Sequence, residues 1–223
     1  VDALSRKPDA LSFEEAASVG VNFVTAWIGA VTYADVRAGE TIVVVGARGG
    51  VGGAVLQIAQ GAGARTIAAT RGAAAEGSPV ARCSDARIDL DLEELAGAVR
   101  SLTEGRGADI VFDCVGGDLF EPALKALAHR GRLICIAGVP GKPVCFDLIE
   151  FYRKEGRIFG VDSLKRDTVA CARIMDQLRP GFASGDYLKP SIASRHRLAD
   201  ARRGFEAVAV GARGRVVLLP WQE

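Results

Sequence analysis

Four of the five glycines crowded into the run VVVGARGGVGGAVLQIAQ, Gly46, Gly49, Gly50 and Gly52, are the residues whose type and spacing speak most directly of chemistry. A turn that holds a diphosphate needs a tight bend, a residue without a side chain where the phosphate nears the backbone, and a small residue where helix meets strand. Gly49, Gly50 and Gly52 can meet these needs. The free N–H groups opening the next helix, near Gly50 and Val51, would face the anion with the positive end of the helix dipole behind them. The spacing departs from GxGxxG, because its first position falls on Ala47 and Gly46 is displaced by one. The context carries more weight than the glycines: a buried strand precedes them and an amphipathic helix follows. A glycine-rich turn serving some other ligand is the alternative.

If the ligand is a dinucleotide, the next strand should end at its adenosine ribose, about 20 residues past the glycines, where an acid would grip the 2′-hydroxyl of NAD. That strand ends AATRG, with Thr70 and Arg71 and no acid. A guanidinium there suits a 2′-phosphate, which favours NADP(H) over NAD(H). The bland alternative is a solvated arginine, with Glu76 in the following AAAEGSP stretch as the first nearby acid.

The rest of the composition mainly excludes. Lysines and arginines number 28 against 27 aspartates and glutamates, so no global field recruits nucleic acid or an anionic membrane. No apolar run approaches the roughly 20 residues that span a bilayer, and the opening VDALSRKPDALSFEEAA lacks a signal-peptide layout, so the chain reads as cytoplasmic. The five cysteines, Cys83, Cys114, Cys135, Cys145 and Cys171, are scattered without a CxxC pair, which points to core thiols and to no zinc. His129 and His196 form no ligand cluster.

These residues must be positioned by alternating strands and helices. Ser12 with Glu15 forms a helix start, and the helical stretch runs to about Val31 with an interruption near Gly20. TIVVV, 41–45, is the first strand, continuous and β-branched as a central parallel strand should be. A helix over 51–60 follows, closed by Gly61 and Gly63. Further strands are expected at 65–70, 86–90, 108–115, 132–137 and 157–162, with helices near 92–102 and 146–156. Six strands with helical crossovers make an α/β, doubly wound (Rossmann) and mostly parallel sheet, whose ligand crevice lies where the strand order reverses. The dinucleotide-binding domain is expected at 13–183, with 1–12 and 184–223 as flanking segments.

Four blocks, PDALSFEEAASVGVNFVTAW, GARGGVGGAVLQIAQGAGA, GADIVFDCVGGDLFEPALKALAHRGRLICIAGV and HRLADARRGFEAVAVGARGRVVLLP, resemble in order and spacing the cofactor-binding part of the medium-chain dehydrogenase/reductase superfamily, in its quinone oxidoreductase branch. The resemblance implies a Rossmann fold, a nicotinamide dinucleotide, and hydride transfer to or from an activated carbonyl or conjugated double bond. It places Gly49, Gly50 and Val51 at the pyrophosphate, and Thr70 and Arg71 at the adenosine ribose. Thr25, with Asn22, falls near the nicotinamide; a helix threonine bonding the preceding turn is the other reading of Thr25. Val115 and Gly116, and Ala137 and Gly138, fall at strand ends that the cofactor passes. The resemblance also implies an amino-terminal catalytic lobe of roughly 100 to 150 residues that this sequence lacks, so that 198–220 would expose apolar surface.

No general acid stands out. Asp113 lies near a strand end, where an aspartate more often holds a loop. The expected partners are a small-molecule substrate and a second copy of the chain, paired through an edge strand at Arg157–Asp162. The function implied is the NADP(H)-binding domain of a quinone or enone reductase. An enoyl-thioester reductase, or a non-catalytic dinucleotide-binding sensor or scaffold, stands as the alternative.

Overall fold

The five consecutive buried residues Thr41–Val45 form the central strand β1, covered on both faces as their β-branched run requires. The structure, a computed structural model, describes residues 2–220. The ends of the expected flanking segments, Val1 and 221–223, lie outside the described residues. The chain divides into two compact units, one of residues 22–167 and one of 1–21 with 168–223.

In the first unit β1 is joined by β2 (Arg65–Thr70), β3 (Ala86–Asp89), β4 (Ala108–Asp113), β5 (Leu127–Cys135) and β6 (Arg157–Gly160). The strand order is β3-β2-β1-β4-β5-β6 and every pairing is parallel, which is the doubly wound α/β sheet. Helix α3 (Gly50–Gly61) links β1 to β2, and the short α4 (Pro79–Arg82) precedes β3. Helices α5 (Leu95–Leu102), α6 (Phe120–Lys125) and α7 (Leu148–Arg153) follow β3, β4 and β5. Strand alternation sorts the side chains: Val43, Val45, Ile67, Ala69, Val111 and Leu133 pack with Leu95, Val99 and Leu124 of α5 and α6. On the opposite face a Cβ on Gly29 would lie 2.4 Å from the Phe112 ring, so only glycine lets that segment rest on the sheet.

Several boundaries depart from the sequence reading for local reasons. The first helical stretch is three pieces, α1 (Phe13–Ala17), α2 (Gly20–Trp27) and a π-helical segment Ile28–Tyr33. β5 starts at Leu127 and not at Arg132. A register shift against β4 and a left-handed Arg130 (φ 62°) carry a polar kink, HRGR, that disguises the strand's start. β4 stops at Asp113 because its carboxylate turns the chain, as described below. α5 starts three residues later than expected because the Glu94 side chain accepts from the N–H groups of Ala96 and Gly97. β6 is the outer strand, and it ends at Gly160 before Asp162 caps a 3₁₀ turn, Ser163–Lys165.

In the second unit α1 is closed by the capping box that Ser12 and Glu15 announce: Ser12 Oγ accepts from Glu15 N–H at 3.2 Å, and Glu15 Oε2 accepts from Ser12 N–H at 2.7 Å. Helix α8 (Thr168–Ser184) belongs here, tied to the amino-terminal segment where Ser5 Oγ donates to Asp176 Oδ1 at 2.9 Å. The divisions between units therefore fall at 21/22 and 167/168, inside the expected 13–183. The remainder is a β-α-β unit that the sequence reading did not resolve: β7 (Ile192–Arg197), α9 (Ala201–Ala209) and β8 (Arg215–Leu219), with the strands parallel. A Cβ on Gly204 of α9 would touch Leu218 and Val216, which locates the helix on this pair. Leu198, Phe205, Val208 and Val210 stay exposed, which is the apolar surface expected of this stretch.

Candidate functional site

The strand order reverses at β1, so the loops after β1 and β4 leave in opposite directions and open a crevice at the carboxyl ends. The glycine turn lies there. Gly46 takes φ 77°, and a Cβ on it would sit 2.8 Å from Val115 Cγ2, so the first loop and the loop after β4 are pressed together. Gly49 N–H donates to Gly46 O at 2.9 Å and closes the turn. Gly49 is the N-cap of α3 in extended geometry, and no side chain caps that end. The helix start near Gly50 and Val51 thus presents backbone donors without a side-chain acceptor, a ready place for an anion.

The imperfect fingerprint has a structural explanation. The residue that must adopt a left-handed backbone is Gly46, while Ala47 is buried under the helix. A Cβ on Gly52 would lie 2.6 Å from Gly46 O and 2.7 Å from Ala47 Cα, so Gly52 makes the close helix-to-turn contact expected of it.

At the end of β2, Thr70 is buried, and its hydroxyl has no hydrogen-bond partner among the described residues. An orphaned buried hydroxyl at a crevice suits a ligand or a water. Arg71 is exposed, with Nε 3.8 Å from Asp91 Oδ1. Asp91, which the sequence reading missed, also accepts from Gly72 N–H at 3.1 Å. Asp91 is therefore an acid at this corner. Arg48 was missed as well. Its Nη1 donates to Arg71 O at 2.6 Å, which brings a second guanidinium to the end of β2. The available signal was that Arg48 is the one long side chain inside the glycine turn.

Asp113 ends β4 fully buried. Its Oδ1 accepts from Val115 and Gly116 N–H, both at 2.9 Å, while Oδ2 has no partner among the described residues. Burial pushes its carboxyl above the usual range, against the two N–H groups that favour the charged form. The role this geometry supports is the holding of a loop. That loop is tight: Gly116 (φ 69°) could not bear a Cβ, which would lie 2.6 Å from Ala137 O and 3.0 Å from Gly138 Cα. Val115 and Gly116 thus meet Ala137 and Gly138 at the sheet's edge of the crevice. The thiols of Cys114 and Cys135 are pushed up to about 12, first by burial and then by the Asp113 charge, which favours the protonated thiol at neutral pH.

Thr25 is buried on α2, and its hydroxyl donates to Ser163 Oγ at 2.8 Å. That bond ties α2 to the turn after β6, next to Tyr33, whose ring stacks on Phe159 and whose hydroxyl accepts from Arg166 at 2.7 Å. The structure therefore groups Gly46, Gly49, Gly50, Val51, Thr70 and Arg71 around the first turn, and Val115, Gly116, Ala137 and Gly138 around the second. Thr25 belongs to a third cluster. The histidines serve locally: His129 Nε2 lies 3.5 Å from Glu155, and His196 Nε2 lies 3.0 Å from Ser194 Oγ. Among the described residues no group of three or more His, Cys, Asp or Glu could hold a metal ion. Nor is any helix long and apolar enough to cross a membrane.

Residues 50–176 match the family model described as zinc-binding dehydrogenase. A quinone oxidoreductase of Pseudomonas aeruginosa is 31% identical over 227 residues, covering 98% of this chain and 68% of that protein. Among solved structures, an NAD-dependent alcohol dehydrogenase superposes with a TM-score of 0.80 at 30% identity, over 96% of this chain and 61% of the other. A mycobacterial protein in complex with NADPH has a TM-score of 0.80 at 26% identity, over 96% and 66%. The chain spans 54–57% of the length of two further curated relatives. The family's description names zinc, and the described residues bring together no set of side chains that would fit one.

Proposed function

Because the chain belongs to the zinc-binding dehydrogenase family of the medium-chain dehydrogenase/reductase superfamily, we propose that it is the NADP(H)-binding part of a quinone or enone reductase. The observation that carries this reading is the uncapped start of α3 at the point where the strand order reverses, behind a turn in which a Cβ on Gly46 or Gly52 would come within 3.0 Å of its neighbours. The unpartnered Thr70 hydroxyl and the Arg71 guanidinium beside it support an adenosine ribose bearing a 2′-phosphate. The NADPH held by a structural relative is consistent with that choice.

When bound, the nicotinamide supplies hydride transfer to an electron-poor carbonyl or double bond. The chain's own residues bind and orient. Amides at Gly50 and Val51 hold the pyrophosphate, and Thr70 and Arg71 hold the adenosine end. Asp113 fixes the 115–117 turn against 137–138 so that the cofactor has a rigid wall to pass.

Calorimetric titration with NADPH and NADH, with melting temperature as a second readout, tests this reading. A ligand specific to the folded state stabilises by RT ln(1 + [L]/Kd), so both signals should move together. The expected result is tighter NADPH binding that Arg71→Ala weakens. Equal affinity for the two dinucleotides would overturn the NADP(H) assignment.

A further inference from the structure

We propose that Arg48 is the second guanidinium of the adenosine 2′-phosphate subsite, so that the phosphate is held between arginines from two different loops. The inference rests on the NADP(H) reading above and names a specificity residue within it. Arg48 leaves the glycine turn after β1, and its side chain crosses to the end of β2, where Nη1 donates to Arg71 O at 2.6 Å. A Cβ on Gly72 (φ 66°) would come 3.4 Å from the same Nη1. The guanidinium is therefore laid along the backbone of 71–72. Guanidinium carries five N–H donors in a fixed fork, and this bond uses one of them.

Arg71 is held loosely by comparison. Its side chain is 75% exposed and its ion pair with Asp91 is long, 3.8 Å, while Asp91 is itself anchored on Gly72 N–H. A phosphate carries nearly twice the charge of a carboxylate and offers three acceptor oxygens, so it can draw Arg71 off Asp91 and still accept from Arg48. The 2′-hydroxyl of NADH offers neither gain. Both cations lie at the loop ends of adjacent parallel strands, β1 and β2, where a dinucleotide's adenosine ribose lies in a doubly wound sheet.

The test measures Kd for NADPH, NADH and 2′-AMP on the full chain and on Arg48→Ala, Arg48→Gln, Arg71→Ala and the double variant, with a melting curve for each. Arg48 is exposed, so folding should survive, and the glutamine variant keeps part of the stem should alanine disturb the turn. Removing Arg48 should weaken NADPH and 2′-AMP about 10- to 100-fold and leave NADH within about threefold, and the double variant should lose the preference entirely. If Arg48→Ala and Arg48→Gln both keep the wild-type NADPH-to-NADH ratio while Arg71→Ala loses it, the role of Arg48 is overturned and the NADP(H) reading stands. If the unmodified chain shows no preference, the NADP(H) reading fails and this proposal fails with it.

Discussion

Gly52→Ala adds one methyl group at the tightest point of the glycine turn. The new Cβ would lie 2.6 Å from Gly46 O and 2.7 Å from Ala47 Cα, both backbone atoms that no rotamer change can move. Ordinary carbon contacts begin at about 3.5 Å, so α3 and the turn must separate by close to an ångström, at a cost in the upper part of the overpacking range, about 2–3 kcal/mol, because both clashing atoms are backbone. Alanine returns about 1 kcal/mol of helix propensity, leaving a net loss of about 1–2 kcal/mol. The last residue of the same helix provides the control. A Cβ on Gly61 meets nothing within 4 Å, so Gly61→Ala should stabilise by about 0.5 kcal/mol or slightly more. Urea unfolding followed by circular dichroism would measure both, and for a chain of this size each kcal/mol should move the melting temperature by about 2–4 °C. Gly52→Ala should also weaken dinucleotide binding, because it displaces the donors at Gly50 and Val51. The reasoning is refuted if Gly52→Ala is as stable as the parent, or if the two alanines shift stability in the same direction.

Other consequences follow from single contacts. Asp113 is raised in the folded state, so its favourable contribution is complete below the unfolded value of about 4 and is lost as pH rises through the folded value. Asp113→Asn keeps an acceptor for Val115 and Gly116 N–H but cannot ionise; its melting temperature relative to the parent should rise between pH 4 and pH 8, and a difference independent of pH would contradict this. Arg132 Nη2 bridges both oxygens of Glu40 at 2.7 and 2.8 Å with side chains only 17% and 22% exposed, so Arg132→Met should cost about 2 kcal/mol, less than a fully buried pair. Adding Glu40→Gln should recover part of that loss in a double-mutant cycle, and strict additivity would show that the pair is not coupled. We also propose that the free edge of β6 pairs with a second copy of the chain. Ile158→Lys on that edge should then halve the mass seen by light scattering, whereas a parent chain that is monomeric at every concentration would remove the proposal.

The central strands were legible because their apolar β-branched runs end abruptly at glycine, and the capping box at Ser12 because both of its partners are local. β5 was harder, since His129 and Arg130 occupy a kink that the register shift against β4 absorbs and that resembles a loop in one dimension. The glycine turn could be located, but its first glycine could be assigned to Gly46 only once the backbone angle and the Val115 contact were seen. Asp91 escaped notice because nothing local marks it, and Arg48 because a long side chain inside the glycine turn does not by itself say where it reaches. Parallel pairing of β2 with β3, Thr70 beside Asp89, brings Asp91 to the corner, and Arg48 reaches it across 23 residues of chain. Thr25 was legible as a helix residue, while its Ser163 partner lies 138 residues away.

The uncapped start of α3 is the proposed seat of a dinucleotide's pyrophosphate, with the adenosine end at β2. Amide chemical shifts recorded during an NADP⁺ titration test it site by site. Saturable shifts are expected chiefly at Gly49, Gly50, Val51 and Gly52, with smaller ones at Thr70, Arg71, Gly116 and Gly138. Saturable binding that leaves the Gly49–Gly52 amides unmoved and shifts residues elsewhere would contradict it.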